Sequence, residues 1–460
     1  MTAAIPRIRQ YLAILATMAV WTGIVGAAEA PLPRYKLQVG QELRYSGHSE
    51  FKYQSGQHNS DLTWRIWVVR QNADGGWHLI LRSGSTRTQI SQRGPTASTP
   101  RDETVSFAWC DISPTGKVTE NDSLGFQMRP NTILPRLPDD AAAAKAGWTS
   151  ENRRLDELNR YQLLPDQSTP ERATIEVVRE SNLNVIYGST YQDVVTFDLA
   201  RGLPERFASK NTQTYGFNGQ GAGTTQLDDV QTHDAAWTHD FAADADRYFA
   251  AKQAYEKASA GRNQSPEDLE KSLQKGIAEL SAAQEQVTTP ELKEQLAKDI
   301  QQHDRYTKYY LDDAKKRVAL LNHPAADWTC QDLQGQDHAL KDLRGRVVVL
   351  DFWYRGCGWC IRAMPQMKEI ATHFQDKPVT IFGMNTDRNE EDAHFVVEKM
   401  GLNYTSLKAQ GIPEKYDIHG FPTLLIIDQE GTVRDIHVGY SPTLKEEVVK
   451  SIEALLNRKT

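Results

Sequence analysis

With 460 residues the chain has room for about two to four domains, each able to bury a core of its own. A hydrophobic share of 39% beside 25% charged residues is that of a soluble globular protein and argues against a chain built of membrane spans or of disordered sequence. A formal net charge of −7, with no long Lys/Arg run, argues against a nucleic-acid partner.

Residues 1–30 read as a secretory signal. Arg7 and Arg9 form a short basic head, an apolar stretch runs from Tyr11 to Ala28, and Ala28-Glu29-Ala30 has the small-x-small pattern of a cleavage site before Pro31. Thr17, Thr22 and Gly23 interrupt the apolar stretch, which barely reaches the roughly 20 residues a membrane span requires. The expectation is export to the periplasm or cell envelope, with no stable membrane insertion after cleavage. No cysteine stands beside the site to carry a lipid anchor.

Residues 31–236 have a β pattern and no recognisable function of their own. Leu62–Val69 and Trp77–Leu81 flank Asn72-Ala73-Asp74-Gly75-Gly76 and predict a hairpin. Further strands are expected over Thr104–Cys110, Ala173–Val178 and Asp193–Phe197, with Gly202-Leu203-Pro204 turning the last toward Arg206-Phe207-Ala208. The proline-rich stretch from Pro130 to Asp140 reads as a connecting loop. A meandering antiparallel sheet accounts for the pattern.

Residues 237–322 shift to Ala, Glu, Lys and Gln and predict a hairpin or bundle of two or three helices. Ser265-Pro266-Glu267-Asp268 supplies an N-cap, a first-turn proline and acidic residues, followed by Leu269, Leu273, Ile277 and Leu280 at helical spacing. Thr289-Pro290-Glu291 starts another helix in the same way, with Leu292, Leu296, Ile300, Tyr306 and Tyr310 as its packing face.

Residues 323–460 read as one compact α/β unit. An entry segment (Asp327–Leu333, then Leu340–Gly345) precedes a strand over Val347–Trp353 and a helix over Ile361–Phe374. A strand over Val379–Met384, a helix over Glu390–Met400, strands over Pro422–Asp428 and Val433–Val438, and a helix over Leu444–Leu456 follow. A mixed sheet with helices on both faces is expected.

Between the first strand and its helix lies Cys357-Gly358-Trp359-Cys360. Two thiols spaced by two residues can exchange a disulfide with a substrate. A strand-turn-helix layout puts the first sulfur where unpaired backbone amides and the helix dipole favour a thiolate, so Cys357 is the expected nucleophile. Cys110 and Cys330 complete the four cysteines, too few for a disulfide-stapled scaffold, and are expected to be free and buried. The cysteines and histidines show no second ligand pair at metal spacing, so no metal site is expected, and nothing calls for a bound cofactor. Tyr354-Arg355-Gly356 before a dithiol lacks the threonine and lone cysteine of a peroxidase centre.

In its C-terminal part, 323–460, the sequence resembles the thioredoxin superfamily and, within it, the exported TlpA-like thiol-disulfide oxidoreductases. The resemblance rests on Asp351-Phe352-Trp353 before the dithiol, Met364-Pro365 after it, Gly420-Phe421-Pro422-Thr423 opening a late strand, the Asp327–Arg344 entry segment and Asn385-Thr386-Asp387. It implies that Cys357 attacks, that Cys360 resolves the mixed disulfide, and that the pair cycles between dithiol and disulfide. It places Pro422 at the family's cis-proline, with Phe421 beside it and Trp359 between the thiols as substrate-binding positions. Asp351 matches the buried acid of thioredoxins and is expected to shuttle a proton to or from Cys360, desolvation favouring its protonated form near neutral pH. Ala363 stands where TlpA-like domains often carry glutamate, and Gly356 where thioredoxins carry tryptophan. Protein thiols and disulfides are the implied substrates, and a membrane-linked electron donor is expected if the pair works as a reductant in an oxidising compartment.

Two functions stay open at this level. One is an exported oxidoreductase, working as reductase or isomerase. The other is an envelope binding or structural protein in which the β-rich and helical regions act and the thioredoxin-like part is accessory.

Overall fold

The computed structural model describes residues 31–458 except 55, 92–102, 122–129, 153–156, 217 and 260–264, so the expected signal over 1–30 lies outside the described residues. Leu32–Thr460 form one compact unit.

The first eleven strands form a single antiparallel sheet. They are β1 (Gln41–Tyr53), β2 (Gly56–Gln71), β3 (Trp77–Ser91), β4 (Thr104–Ile112), β5 (Val118–Asn121), β6 (Trp148–Asn152), β7 (Glu157–Leu163), β8 (Arg172–Ser181), β9 (Thr190–Asp198), β10 (Leu203–Gln213) and β11 (Gly219–Thr232). Their spatial order is β5-β4-β3-β2-β1-β11-β10-β9-β8-β7-β6. The expected meander is thus two meanders: one runs from the centre out to β5, the other returns from the far edge to β11, and β1 pairs with β11 to join them.

The crossover between the two edges is more than a loop. It contains the short helices α1 (Pro130–Ile133) and α2 (Ala141–Ala146), and Ile133, Leu134 and Leu137 are buried in the sheet core beside residues of both halves, among them Ile66, Leu79, Ile175 and Phe197. Pro130 to Asp140 therefore supplies core as well as connection, its apolar residues outweighing the turn signal of its prolines. The turn before β10 spans Leu199 to Gly202, with Gly202 at φ 68°, while Leu203 and Pro204, expected in the turn, already lie in the strand, which therefore begins earlier than expected. Between β8 and β9 sits α3 (Asn182–Tyr187), capped by the Ser181 side chain accepting from Asn184 N–H and closed by Gly188 in the left-handed region.

Strand alternation sorts the two sheet faces. Leu43, Ile66, Val68, Leu79 and Leu81 point into the sheet core, whereas Trp67, Val69, Ile80 and Phe107 pack on the helices α4 (Ala235–Ser259), α5 (Pro266–Gln286) and α6 (Pro290–Leu320). Glu42, fully buried, accepts hydrogen bonds from Arg44, Arg65 and His233; burial alone would raise its pKa, but these donors hold it down at about 2. Ser265 caps α5 as expected, its side chain accepting from Asp268 N–H. Thr289 does not cap α6: both Thr288 and Thr289 give their N–H and hydroxyl to Asp244 of α4, pinning the α5–α6 turn to that helix. Of the expected packing face of α6, Leu292 and Leu296 are buried but Tyr306 is exposed.

Beyond α6 the chain forms a β12 (Thr329–Gln331) and β13 (Asp337–Ala339) hairpin, then β14 (Val347–Trp353), α7 (Gly358–His373), β15 (Val379–Asn385), α8 (Glu390–Met400), β16 (Thr405–Lys408), β17 (Thr423–Ile427), β18 (Val433–Val438) and α9 (Leu444–Leu456). The sheet order is β16-β15-β14-β17-β18, with β14–β15 and β15–β16 parallel and the rest antiparallel. Val347 and Val349 face α7 and α9, and Trp353, two and three pleats along the same face, packs with α7 and α8. The opposite face, carrying Val348, Leu350 and Phe352, is covered by the β12–β13 segment, the 412–418 stretch and the end of α6. The three long helices thus share one face instead of dividing between both. Cys110 lies in the core of the large sheet and Cys330 in that of the small one, both free, which leaves them without a bridge.

Candidate redox site

The fully buried strand β14 ends at Trp353, and the next four residues turn the chain into α7. Cys357 is the N-cap of that helix: its Sγ accepts from the Cys360 N–H at 3.1 Å, occupying one of the amides that a helix start leaves without a backbone partner. The two sulfurs are joined as a disulfide. Cys357 is 6% exposed and Cys360 2%, so the first residue of the pair is the more accessible of two buried ones. Trp359, between them, is 41% exposed; it stacks on Tyr440 and lies under the Arg362 guanidinium.

The Phe421–Pro422 peptide bond is cis. Phe421 packs against the cluster that holds both cysteines and meets Tyr354 edge-to-face at 5.3 Å. Pro422 O accepts from Gly439 N–H and Gly420 O from the Thr423 hydroxyl, which fixes this loop beside β18.

Asp351 is 2% exposed on β14, on the side of the sheet that carries Trp353. Burial raises its pKa to about 7, against a small lowering by the Tyr404 hydroxyl, which donates to Oδ2 at 3.2 Å. Among the described residues it makes no hydrogen bond to either cysteine, so a proton passing between them would need a bridging group.

Other residues carry this site that sequence reasoning did not single out. Tyr404, just before the short β16, is the partner of Asp351. Arg355 stands two residues before the motif, and that closeness was the available signal for it. Its N–H donates to Asp387, which also accepts from Asn385, and its guanidinium pairs with Asp392 and donates twice to the Ile186 carbonyl of α3. Tyr187, at the end of α3, donates its hydroxyl to Gly356 O at 3.1 Å from 169 positions away, a contact with no local sequence signature. Among the described residues, no group of three or more His, Cys, Asp or Glu is placed to hold a metal ion, and no helix is long and apolar enough to cross a membrane.

Residues 321–436 match the family model described as AhpC/TSA family. The chain is 29% identical over 152 residues to the thiol-disulfide oxidoreductase ResA of Geobacillus thermodenitrificans, covering 33% of this chain and 86% of that one. The C-terminal part of this chain is a thiol-disulfide oxidoreductase of the thioredoxin superfamily, of the TlpA-like kind. The thioredoxin-like protein YneN of Bacillus subtilis is likewise 29% identical, over 134 residues that make up 28% of this chain and 79% of the relative. A putative thiol:disulfide interchange protein DsbE from Chlorobium tepidum has a solved structure that is 30% identical and covers 30% of this chain and 98% of its own, with a TM-score of 0.29. The family match, over 321–436, begins at the end of the helical segment and lies within the C-terminal third of the chain.

Proposed function

We propose that this chain is an exported oxidoreductase of the periplasm or cell envelope that exchanges its Cys357/Cys360 pair with disulfides of protein substrates, as a reductase or isomerase. The observation that carries the reading is the position of Cys357 at the start of α7, its sulfur facing the Cys360 N–H and bonded to Cys360. In the reduced chain, the amide and dipole of α7 favour the Cys357 thiolate. That thiolate attacks one sulfur of a substrate disulfide; a mixed disulfide forms and the other substrate sulfur leaves as a thiolate. Cys360, once deprotonated, attacks Cys357 Sγ, releasing the second substrate thiolate and closing the Cys357–Cys360 bond. Two electrons pass to the substrate, and a membrane-linked dithiol donor must restore the pair. Asp351 accepts the Cys360 proton through an intervening group, Tyr404 holding its carboxyl in place. Phe421, Pro422 and Trp359 line the path along which the substrate segment approaches. The division into 31–236, 237–322 and 323–460, with a cleaved leader over 1–30, is part of the same proposal.

Gly358-Trp359 contains neither the histidine of strongly oxidising pairs nor the proline of thioredoxin, so the dipeptide does not set the direction of electron flow. On the reductase reading, a redox titration of residues 31–460 against glutathione is expected to give a midpoint nearer to about −270 mV than to about −120 mV. In an insulin-disulfide assay with dithiothreitol as donor, the same chain is expected to turn over; an inactive wild type would overturn the assignment in favour of the binding or structural reading.

A further inference from the structure

The large sheet reaches the dithiol through α3, the short helix between β8 and β9. Ile186 of α3 is fully buried in the cluster that contains Cys357, Cys360 and Trp353, and Leu183 and Tyr187 pack against that cluster. Tyr187 meets both neighbours of Cys357: its hydroxyl donates to Gly356 O, and a Cβ at Gly358 would lie 3.4 Å from the Tyr187 hydroxyl oxygen and 3.6 Å from Leu183 Cδ2.

The attachment is built rather than incidental. Arg355, two residues before Cys357, donates to Ile186 O from Nε at 3.2 Å and Nη2 at 2.8 Å. Its guanidinium lies over the rings of Tyr215, from the β10–β11 connection, at 3.8 Å and Phe395, from α8, at 4.1 Å. The pairing with Asp392 is at 2.8 Å and Tyr215 stacks on Tyr187, so charge, hydrogen bonds and aromatic packing all hold α3 at this place.

Away from α3 the site is rimmed by aromatic side chains. Tyr354 and Trp359 are exposed, backed by Phe421 and Tyr440. A cysteine carried on an extended segment with apolar neighbours can lay those neighbours on the rings, whereas a disulfide on the surface of a folded domain would drive that domain into α3.

We infer that α3 of the large sheet is a wall of the substrate site, and that Tyr187 with Leu183 is a specificity determinant admitting extended polypeptide segments to Cys357 while holding folded domains off. The inference rests on the disulfide-exchange reading above.

The test compares two substrates for each reduced chain of residues 31–460: an unstructured peptide disulfide with apolar residues flanking its cysteines, and a folded protein with a surface disulfide. Tyr187→Ala is expected to raise the folded-to-peptide ratio of kcat/KM by about tenfold, the scale of losing one close apolar contact that discriminates between substrates. Leu183→Ala trims the same wall from another position and is expected to shift the ratio in the same direction. Tyr187→Phe keeps the ring and should keep the wild-type ratio. Unchanged ratios in both alanine variants would overturn the inference, even if overall rates fell. No exchange with either substrate by the wild type would instead overturn the exchange reading, and the wall with it.

Discussion

Replacing Cys357 with serine is expected to lower disulfide exchange by at least about 10³-fold, because the other thiol of the site, Cys360, is only 2% exposed and lacks the N-cap position that favours a thiolate. Cys110 and Cys330 are buried in separate cores, and burial raises both thiol pKa values, so neither offers a thiolate in its place. Cys360→Ser should behave differently. The nucleophile and the helix start survive, so the first attack proceeds, but the mixed disulfide loses its resolving thiol and turnover stops near one event per chain. Steady-state insulin reduction compared with a single-turnover burst separates the two. Equal loss of the burst in both variants would contradict the assignment of separate roles.

Asp351→Asn is expected to stabilise the protein at alkaline pH while slowing its reaction. Folding raises this carboxyl from 3.8 to about 7 through burial, so between those values the folded chain binds more protons than the unfolded chain. Stability from this group is therefore fully present below the lower value and declines as pH rises through the upper one. At about 1.4 kcal/mol per pH unit, the ionised carboxylate costs up to about 4 kcal/mol near pH 8. Asparagine keeps an acceptor for the Tyr404 hydroxyl and carries no charge. Urea denaturation should show little difference from wild type near pH 4 and a growing advantage for the variant toward pH 8. If Asp351 also takes the Cys360 proton, reduction by the variant should fall by about 10²-fold and lose its inflection near pH 7. An unchanged pH–rate profile with the stability change intact would assign Asp351 to the fold and remove it from the proton path.

The parts of the molecule legible in the sequence are those set by local rules. The dithiol lies between a seven-residue apolar strand and an amphipathic helix, and Ser265-Pro266 announces its own helix start. The proline at 422 was recognisable from the order of features around it. Contacts distant in sequence defeated local reading. Thr289 looks like a cap but is claimed by Asp244 on another helix, and Tyr306 keeps helical spacing yet is exposed. The four residues of β16 are too few to show a period, so the helix before them gave no hint that α8 returns to the same face as α7. Residues 130–140 carry turn signals and core residues together, and burial decided their role. At the site, the sheet's contribution was illegible: nothing near Tyr187 points to a partner in the turn before Cys357.

The central claim is that Cys357 is the sulfur to which substrates attach. It is tested most directly by incubating reduced Cys360→Ser chain of residues 31–460 with an unstructured peptide disulfide, quenching with acid and mapping the adduct by mass spectrometry. The account predicts one peptide per chain, bound to Cys357 and released by dithiothreitol. An adduct on Cys110 or Cys330, or none at all from a folded chain with a free Cys357 thiol, would contradict it.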